Sequence, residues 1–430
     1  MVSSQDGMIS VEDARERILA VISRLQPEQK PLAEALGQVL AEDAVSRLTI
    51  PPLDNTAMDG YAVVAADTAG AGASSPVRLR VAGEVAAGYI YEGRVERGTA
   101  VRIMTGAPIP AGADAIVPFE ETDEPPGRNF GSFAKAIESV GILKAAEPGA
   151  NFRYAGEDIR AGETVLKAGT YIGAAQLGVL ASLGLTTVRV YRRPVVAILA
   201  TGDELLELGQ DIEPGRIYDA NSYTVASLVA EAGGIPRRLG IARDTIEDLT
   251  AKVKKGLDAD LLVTSAGVSR GDYDVVKDVL MREGNIGFWT VRMRPGKPLA
   301  FGTLRASGGR VVPHLGLPGN PVSSMVAFEL FGRPAIFKMM GRGGWERPMA
   351  HVVIEDRVVN SDGRRFLARA VVRRRGDGLL ARLTGSQGSG VLTSMSLANA
   401  LVVCPEDVPA LEPGQEADAM MLGPVVEEDS

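Results

Sequence analysis

Cysteine occurs once in this 430-residue chain, at Cys404, and histidine twice, at His314 and His351. One cysteine excludes an intramolecular disulfide. Three such residues cannot build a typical zinc or transition-metal site, and they leave little for a Ser-His or Cys-His nucleophilic machine. Positive charge is not in excess either. Lys and Arg number 46 against 54 Asp and Glu, a net charge of −8, whereas a nucleic-acid footprint needs a basic face. No apolar run approaches membrane-spanning length and the segment 1–9 is polar, so neither a membrane partner nor a signal peptide is expected and a cytoplasmic location is the default. Glycine (50) and proline (25) are plentiful, yet no tract is repetitive enough to read as disordered. What remains is 45% hydrophobic and 23% charged, an ordinary globular composition with length for roughly three domains of about 150 residues. Any metal should be a hard cation held by carboxylates, which points to Mg²⁺.

The informative stretch runs from Pro194 to Ser324. Three short apolar runs, Val195 to Leu199, Leu261 to Val263 and Val311 to Leu315, each end in a polar turn expected to open a helix. Runs of that length bounded by turn residues read as buried parallel strands. In an open α/β sheet ligands bind beyond the carboxyl ends of the strands, so the site is expected where the three turns meet. Around this core, helices are expected over Val11 to Ser23, Pro31 to Leu40, Gly173 to Leu183, Asn221 to Ala232, Thr245 to Leu257 (capped by Asp244 or Thr245) and Val322 to Met340. Short β runs separated by glycine fill Tyr61 to Glu121, and another set follows the linker Gly341 to Pro348.

The turns carry the candidate chemistry. Thr201-Gly202-Asp203-Glu204 places two carboxylates after a strand, where they suit Mg²⁺; read alone, the turn is first a helix N-terminus that acidic residues favour. Ser265 to Asp274 combines small residues with Asp272 and Asp274, which fits a phosphate bridged by a cation or a capped tight turn. Arg294-Pro295-Gly296-Lys297 fixes two cations on a stiff loop, fit for an oxyanion or simply solvated. Pro318-Gly319-Asn320-Pro321 specifies a rigid strand-to-helix corner. Arg364, Arg365, Arg369 and Arg373 to Arg375 read as solvent-facing strand arginines beside the donor-rich run Gly385 to Gly390. His314, His351 and Cys404 read as core or edge residues.

In this order the motifs resemble those of the molybdopterin molybdenumtransferase family, related to the E domain of gephyrin. The resemblance rests on Asp54 to Val63, Arg102 to Ala107, Gly156 to Ile159, Thr201 to Leu205, Ile217 to Asn221, Pro295 to Pro298 and Leu317 to Ser323. It implies a multidomain fold of α/β plus β: a discontinuous N-terminal helical domain (1–48 and 148–183), an inserted small β domain (49–147), a central doubly wound α/β molybdopterin-binding domain (184–340) and a C-terminal β-barrel (345–430). It implies Mg²⁺ as cofactor, with adenylylated molybdopterin and molybdate as substrates and AMP as product. The polar active-site set becomes Asp59, Thr105, Asp158, Glu204, Asp244 and Asp274, with Glu204, Asp244 and Asp274 at the metal. Substrate binding falls to Gly267, Ser269, Arg294, Lys297, Pro318, Asn320, Ser323, Arg369 and Ser389; of these Arg294, Lys297, Arg369 and Ser389 form the molybdate group. A homodimer with its active site shared between subunits is implied, working with a molybdopterin adenylyltransferase and with cofactor-receiving enzymes. The alternatives are that adenylyltransferase activity itself or a non-catalytic scaffold. Ala266 and Ser386 stand where the family often has glycine and histidine, and Arg294 where it often has lysine.

Overall fold

The computed structural model describes residues 7–125, 137–266 and 275–427. They form two compact units, one from residues 43–167 and 179–185 and the other from 1–42, 168–178 and 186–430.

The larger unit is built on a six-stranded sheet in the order Ile235–Ala242, Val195–Thr201, Leu261–Ser265, Val311–Leu317, Pro298–Arg305, Gly284–Thr290. The first four strands are parallel, and the last two are added antiparallel. Both faces are covered, which is why the central strands are continuous apolar runs rather than alternating ones. Val196, Ile198, Val263 and Leu315 pack on one side with Val225, Val229, Val326 and Phe328. Ala197, Leu199, Leu262 and Val312 pack on the other with Leu249, Val253, Val276 and Leu280. Each fully buried Val, Leu or Ile contributes about 1.5–3 kcal/mol relative to exposure, so this doubly covered sheet is the rigid platform of the unit. The Ile246–Gly256 helix is N-capped by Thr245, whose hydroxyl accepts from the Asp248 amide.

Three expectations need correction. Pro31 to Leu40 is not a helix: Leu32–Glu34 is a single 3₁₀ turn between the strands Pro27–Pro31 and Val39–Leu40. Both strands pair with Thr187–Tyr191, and that tertiary pairing overrides a weak helical periodicity. Thr201 to Glu204 does not open a helix; the chain makes a two-strand excursion, Leu205–Leu206 with Ile217–Tyr218, before the helix Asn221–Glu231 begins. The helix expected over Val322 to Met340 carries a π-helical turn at Phe328–Gly332, between Pro321–Ala327 and Arg333–Met339.

In the same unit the strand Arg365–Arg375 pairs on one edge with Gly378–Leu383 and on the other with Ala400–Cys404. Met349–Ile354 and Glu416–Met421 complete the ring, so five strands close a barrel without free edges. Phe366, Ala368, Ala370, Val372 and Cys404 fill its interior. Strand alternation puts Leu367 and Arg369 on the outer face. Leu367 and Leu401 there belong to the main α/β core, so the barrel's outer wall is covered at this point and Arg369 is covered with it.

The smaller unit holds a five-stranded sheet, Ala115–Pro118, Gly60–Val63, Thr99–Ile103, Val77–Val85, Ser139–Ile142. Gly60 is required by close approach: a Cβ there would lie 2.1 Å from the Val117 carbonyl oxygen. Tyr61 and Arg102 leave this sheet to meet Glu124. The Tyr61 hydroxyl donates to Oε2 at 2.6 Å and Arg102 donates through Nε and Nη2, so the buried carboxylate and guanidinium satisfy each other.

Candidate functional site

The carboxyl ends of the central strands open on a cleft of about 580 Å³ lined by Thr201, Glu204, Asp219, Ser265, Asn320 and Ser323, among others. Each wall is set by local structure. Gly202 has φ +142°, and a Cβ there would lie 2.4 Å from the Glu204 carboxylate, which folds back over it. Glu204 is exposed; its backbone carbonyl accepts from the Ile217 amide at 2.9 Å, while its carboxylate accepts no hydrogen bond from a described residue. Helix capping does not explain it, because no helix starts there. Asp244 lies close by. Its amide donates to Asp203 Oδ1 at 3.4 Å; partial burial, then the Asp203 carboxylate and, more weakly, Glu204 push its carboxyl above the ordinary range. The negative charge that raises the proton affinity of Asp244 would equally favour a cation beside it. Among the described residues no three His, Cys, Asp or Glu side chains converge on one metal position. Glu204 and Asp244 are therefore a partial donor set. That suits Mg²⁺, which keeps waters and borrows substrate phosphate oxygens.

The Ser265 strand end and the Pro318 corner form the floor. Ala266 sits at φ +84°, a conformation that suits glycine better than alanine. Asn221 Nδ2 donates to the Gly319 carbonyl at 2.7 Å, tying the Asn221–Glu231 helix to the corner. Asn320 Nδ2 reaches the Ser389 hydroxyl at 2.9 Å, and the Val322 amide donates to the Ser389 carbonyl at 3.1 Å. The barrel loop is thereby fastened to the cleft, and Gly390 and Pro298 lie in its lining.

Behind that loop lies Arg369, which is 0% exposed, contrary to its expected place facing solvent. Nη2 donates to the carbonyls of Ser386 (2.9 Å) and Gly388 (3.1 Å), while Nε and Nη1 are buried without a hydrogen-bond partner. Burial, then the charge of Arg294, pulls its pKa down. Arg294 arrives because Met293–Arg294 adds in parallel to the barrel strand at Arg365–Phe366, its guanidinium 4.2 Å over the Phe366 ring. Lys297 is exposed, and its ammonium has no ion-pair partner among the described residues. Arg364, Arg365 and Arg374 are paired with Asp362, Glu12 with Glu406, and Glu427. Two positive side chains share a partly dry corner, one with two idle donors, a combination that suits an anion.

In the smaller unit Asp59 accepts from the Thr105 amide (2.6 Å) and hydroxyl (2.8 Å). Asp158 is exposed on the loop whose amides at 158 and 159 donate to the Ile50 carbonyl. Gly267, Ser269, Asp272 and Asp274 lie outside the described residues. The histidines differ: His314 is fully buried, Nε2 lying 3.1 Å from the Thr264 hydroxyl, whereas His351 is exposed and paired with Asp418. Asp203, one of the two carboxylates of its turn, was left out of the expected site set, and sequence reasoning missed Asp219, which is buried in the cleft wall with its carboxylate accepting from the Ser222 amide at 3.0 Å and from the Ser222 hydroxyl. Both adjoin residues already singled out, and their motifs were the available signal.

A mostly parallel sheet with a carboxylate-bearing cleft, fastened through one loop to a barrel that buries a guanidinium with two idle donors, defines a protein of the α/β class whose cleft suits phosphate and oxyanion ligands. Family models match residues 9–184 (MoeA N-terminal region, domain I and II), 197–338 (probable molybdopterin binding domain) and 352–422 (MoeA C-terminal region, domain IV). Molybdopterin molybdenumtransferase 2 of Mycobacterium tuberculosis is 38% identical over 95% of this chain and 98% of its own. The molybdopterin molybdenumtransferase of Nostoc sp. is 37% identical over 96% and 94%. A crystal structure of the molybdopterin biosynthesis MoeA protein of Pyrococcus horikoshii, 28% identical, superposes with a TM-score of 0.79 over 96% of this chain and 100% of that one. The chain belongs to the molybdopterin molybdenumtransferase (MoeA) family.

Proposed function

We propose that this chain transfers molybdenum from molybdate to adenylylated molybdopterin, releasing AMP. The observation that carries the reading is the composition of a single cleft. Its lining runs from Glu204, with Asp244 beside it, to Pro298 and Gly390, which adjoin Lys297 and Ser389, and behind Ser389 stands Arg369. Molybdate is a tetrahedral dianion with four acceptor oxygens. Arg369 Nε and Nη1, the Arg294 guanidinium, the Lys297 ammonium and the Ser389 hydroxyl match its charge and its shape. Glu204 and Asp244, with Asp274, would hold Mg²⁺, which when bound spreads the negative charge of the adenylate's phosphate bridge. Glu204 and Asp244 would hold that ion on the carboxylate side of the cleft; Pro318, Asn320 and Ser323 shape the floor, and Gly267 and Ser269, outside the described residues, would complete the phosphate contacts. An adenylyltransferase or a scaffold has no use for a dry, unpaired guanidinium beside the cleft.

The chain acts as a homodimer with shared sites, Asp59, Thr105 and Asp158 facing the partner subunit's Glu204 and Asp274. It takes substrate from the adenylyltransferase and passes the cofactor to the enzymes that use it, in the cytoplasm; among the described residues no helix is long and apolar enough to cross a membrane. Supplied with adenylylated molybdopterin and Mg²⁺, the protein should release AMP only when molybdate is added; release at the same rate without oxyanion would contradict the reading. Sharing is tested by mixing Asp59→Asn with Glu204→Gln subunits, each inactive alone. Random exchange makes half the dimers mixed with one intact site each, so about a quarter of wild-type activity returns; background activity in confirmed mixed dimers refutes the shared site.

A further inference from the structure

The Arg369 guanidinium, fully buried behind the barrel loop, is useful to an anion only if something fixes its direction while it is out of water. The strand that carries it is incompletely paired at that point. On one edge Arg369 faces Leu401, but on the other the ladder with Gly378–Leu383 ends at Ala370↔Leu383. A buried backbone N–H and C=O left at the end of a ladder need partners. Gln387 supplies them. Its Oε1 accepts from the Arg369 amide at 2.8 Å. Its Nε2 donates to the Arg369 carbonyl at 3.1 Å and to the Gly385 carbonyl at 3.1 Å. One side chain thus stands in for the missing strand and locks its own loop by the same contacts. The two carbonyls that seat the guanidinium, Ser386 and Gly388, are the immediate chain neighbours of Gln387. Thr384 adds its amide and hydroxyl to the Arg369 carbonyl at 3.1 and 3.3 Å.

We propose that Gln387 is a positioning residue of the oxyanion site: its amide clamps the backbone of Arg369 and, through the loop it anchors, sets the guanidinium so that Nε and Nη1 face the anion. The inference rests on reading Arg369 as an oxyanion ligand. Once the clamp is removed, the Ser386 and Gly388 carbonyls lose their fixed places and the guanidinium is free to turn. The neighbouring Arg294 charge, which opposes its protonated form, then drives it from the corner unless an anion is present.

The test uses the full-length protein with two substitutions. Gln387→Met keeps the length and removes every polar atom, while Gln387→Glu keeps an acceptor for the Arg369 amide and loses both donors. Molybdate and AMP affinities are titrated separately, and KM for molybdate is measured beside kcat. The expected result is a molybdate Kd and KM raised about tenfold or more in Gln387→Met and at least about threefold in Gln387→Glu. The AMP affinity and the kcat at saturating molybdate should stay within about twofold, a split that general damage to the loop would not give. Unchanged molybdate affinity, or AMP affinity falling by the same factor, overturns the proposal. If Gln387→Met does not fold, Gln387→Glu decides it alone. Arg369→Met separates the levels. If it too leaves molybdate binding intact, the oxyanion reading is wrong; if it abolishes binding while the Gln387 variants do not, only the clamp is.

Discussion

Replacing Arg369 with methionine should weaken oxyanion binding by about two orders of magnitude without unfolding the protein, because the two effects come from different atoms. Nε and Nη1 have no partner inside the protein, so their bonds to an anion are lost outright. Two charge-assisted hydrogen bonds at the low end of their range, about 1.5 kcal/mol each, make about 3 kcal/mol, or roughly 150-fold in Kd. The stability terms nearly cancel. Removing a buried, uncompensated guanidinium gains about 1–4 kcal/mol, and leaving the Ser386 and Gly388 carbonyls without their donor costs about 1 kcal/mol each. The free variant should therefore lie within about 2 kcal/mol of wild type. Thermal unfolding with and without molybdate reads both. At a molybdate concentration of 100 Kd, wild type gains about 2.7 kcal/mol, and the variant at that concentration gains only about 0.3 kcal/mol by the same relation. A variant that keeps the full molybdate-dependent shift would refute the anion site. A free variant destabilised by more than about 4 kcal/mol would make Arg369 a structural residue.

Other substitutions probe the remaining parts. Glu204→Gln should fold and unfold as wild type, since no described residue bonds to the carboxylate, yet fail to release AMP; wild-type turnover would remove Glu204 from the site. Lys297→Ala should weaken molybdate by about 1.5–3 kcal/mol and leave AMP binding intact in separate titrations, whereas equal molybdate affinity would show the exposed ammonium to be merely solvated. His314 gives a pH signature. Burial depresses its pKa from 6.5 to about 3, so between those values the unfolded chain binds a proton that the folded one does not. Its contribution is fully present above pH 6.5 and is lost as pH falls towards 3, by at most about 1.4 kcal/mol per unit. His314→Leu should flatten that acid limb in denaturant titrations, and an unchanged slope would disprove it.

The central sheet was legible because its strands are covered on both faces and so read as unbroken apolar runs; the C-terminal strands were legible as short β runs, but their closure into a barrel came only from the family resemblance. Segments held by distant partners were not legible. Pro31 to Leu40 carries a helix-like spacing, but its strand ends belong to Thr187–Tyr191. Glu204 resembled a helix cap because the return strand Ile217–Tyr218 follows only after a turn-rich stretch. Arg369 was the largest misreading. It was read with its neighbours as a solvent-facing strand arginine, and nothing local reveals that the barrel's outer face is covered by the α/β core at Leu367 and Leu401. The idle nitrogens that make it useful are a tertiary fact, and so is the Gln387 clamp, whose only trace in the sequence was a run rich in donors.

The most direct measurement counts two products in one reaction. The purified protein, loaded with a limiting amount of adenylylated molybdopterin and Mg²⁺, is given molybdate. AMP and dithiolene-bound molybdenum are then quantified over a single turnover. Both should rise together, one molybdenum inserted for each AMP released, and both should stop in Glu204→Gln and slow sharply in Arg369→Met at molybdate concentrations only just saturating for wild type. AMP release without molybdenum on the dithiolene, or insertion that proceeds undiminished in Arg369→Met, would contradict the proposed function.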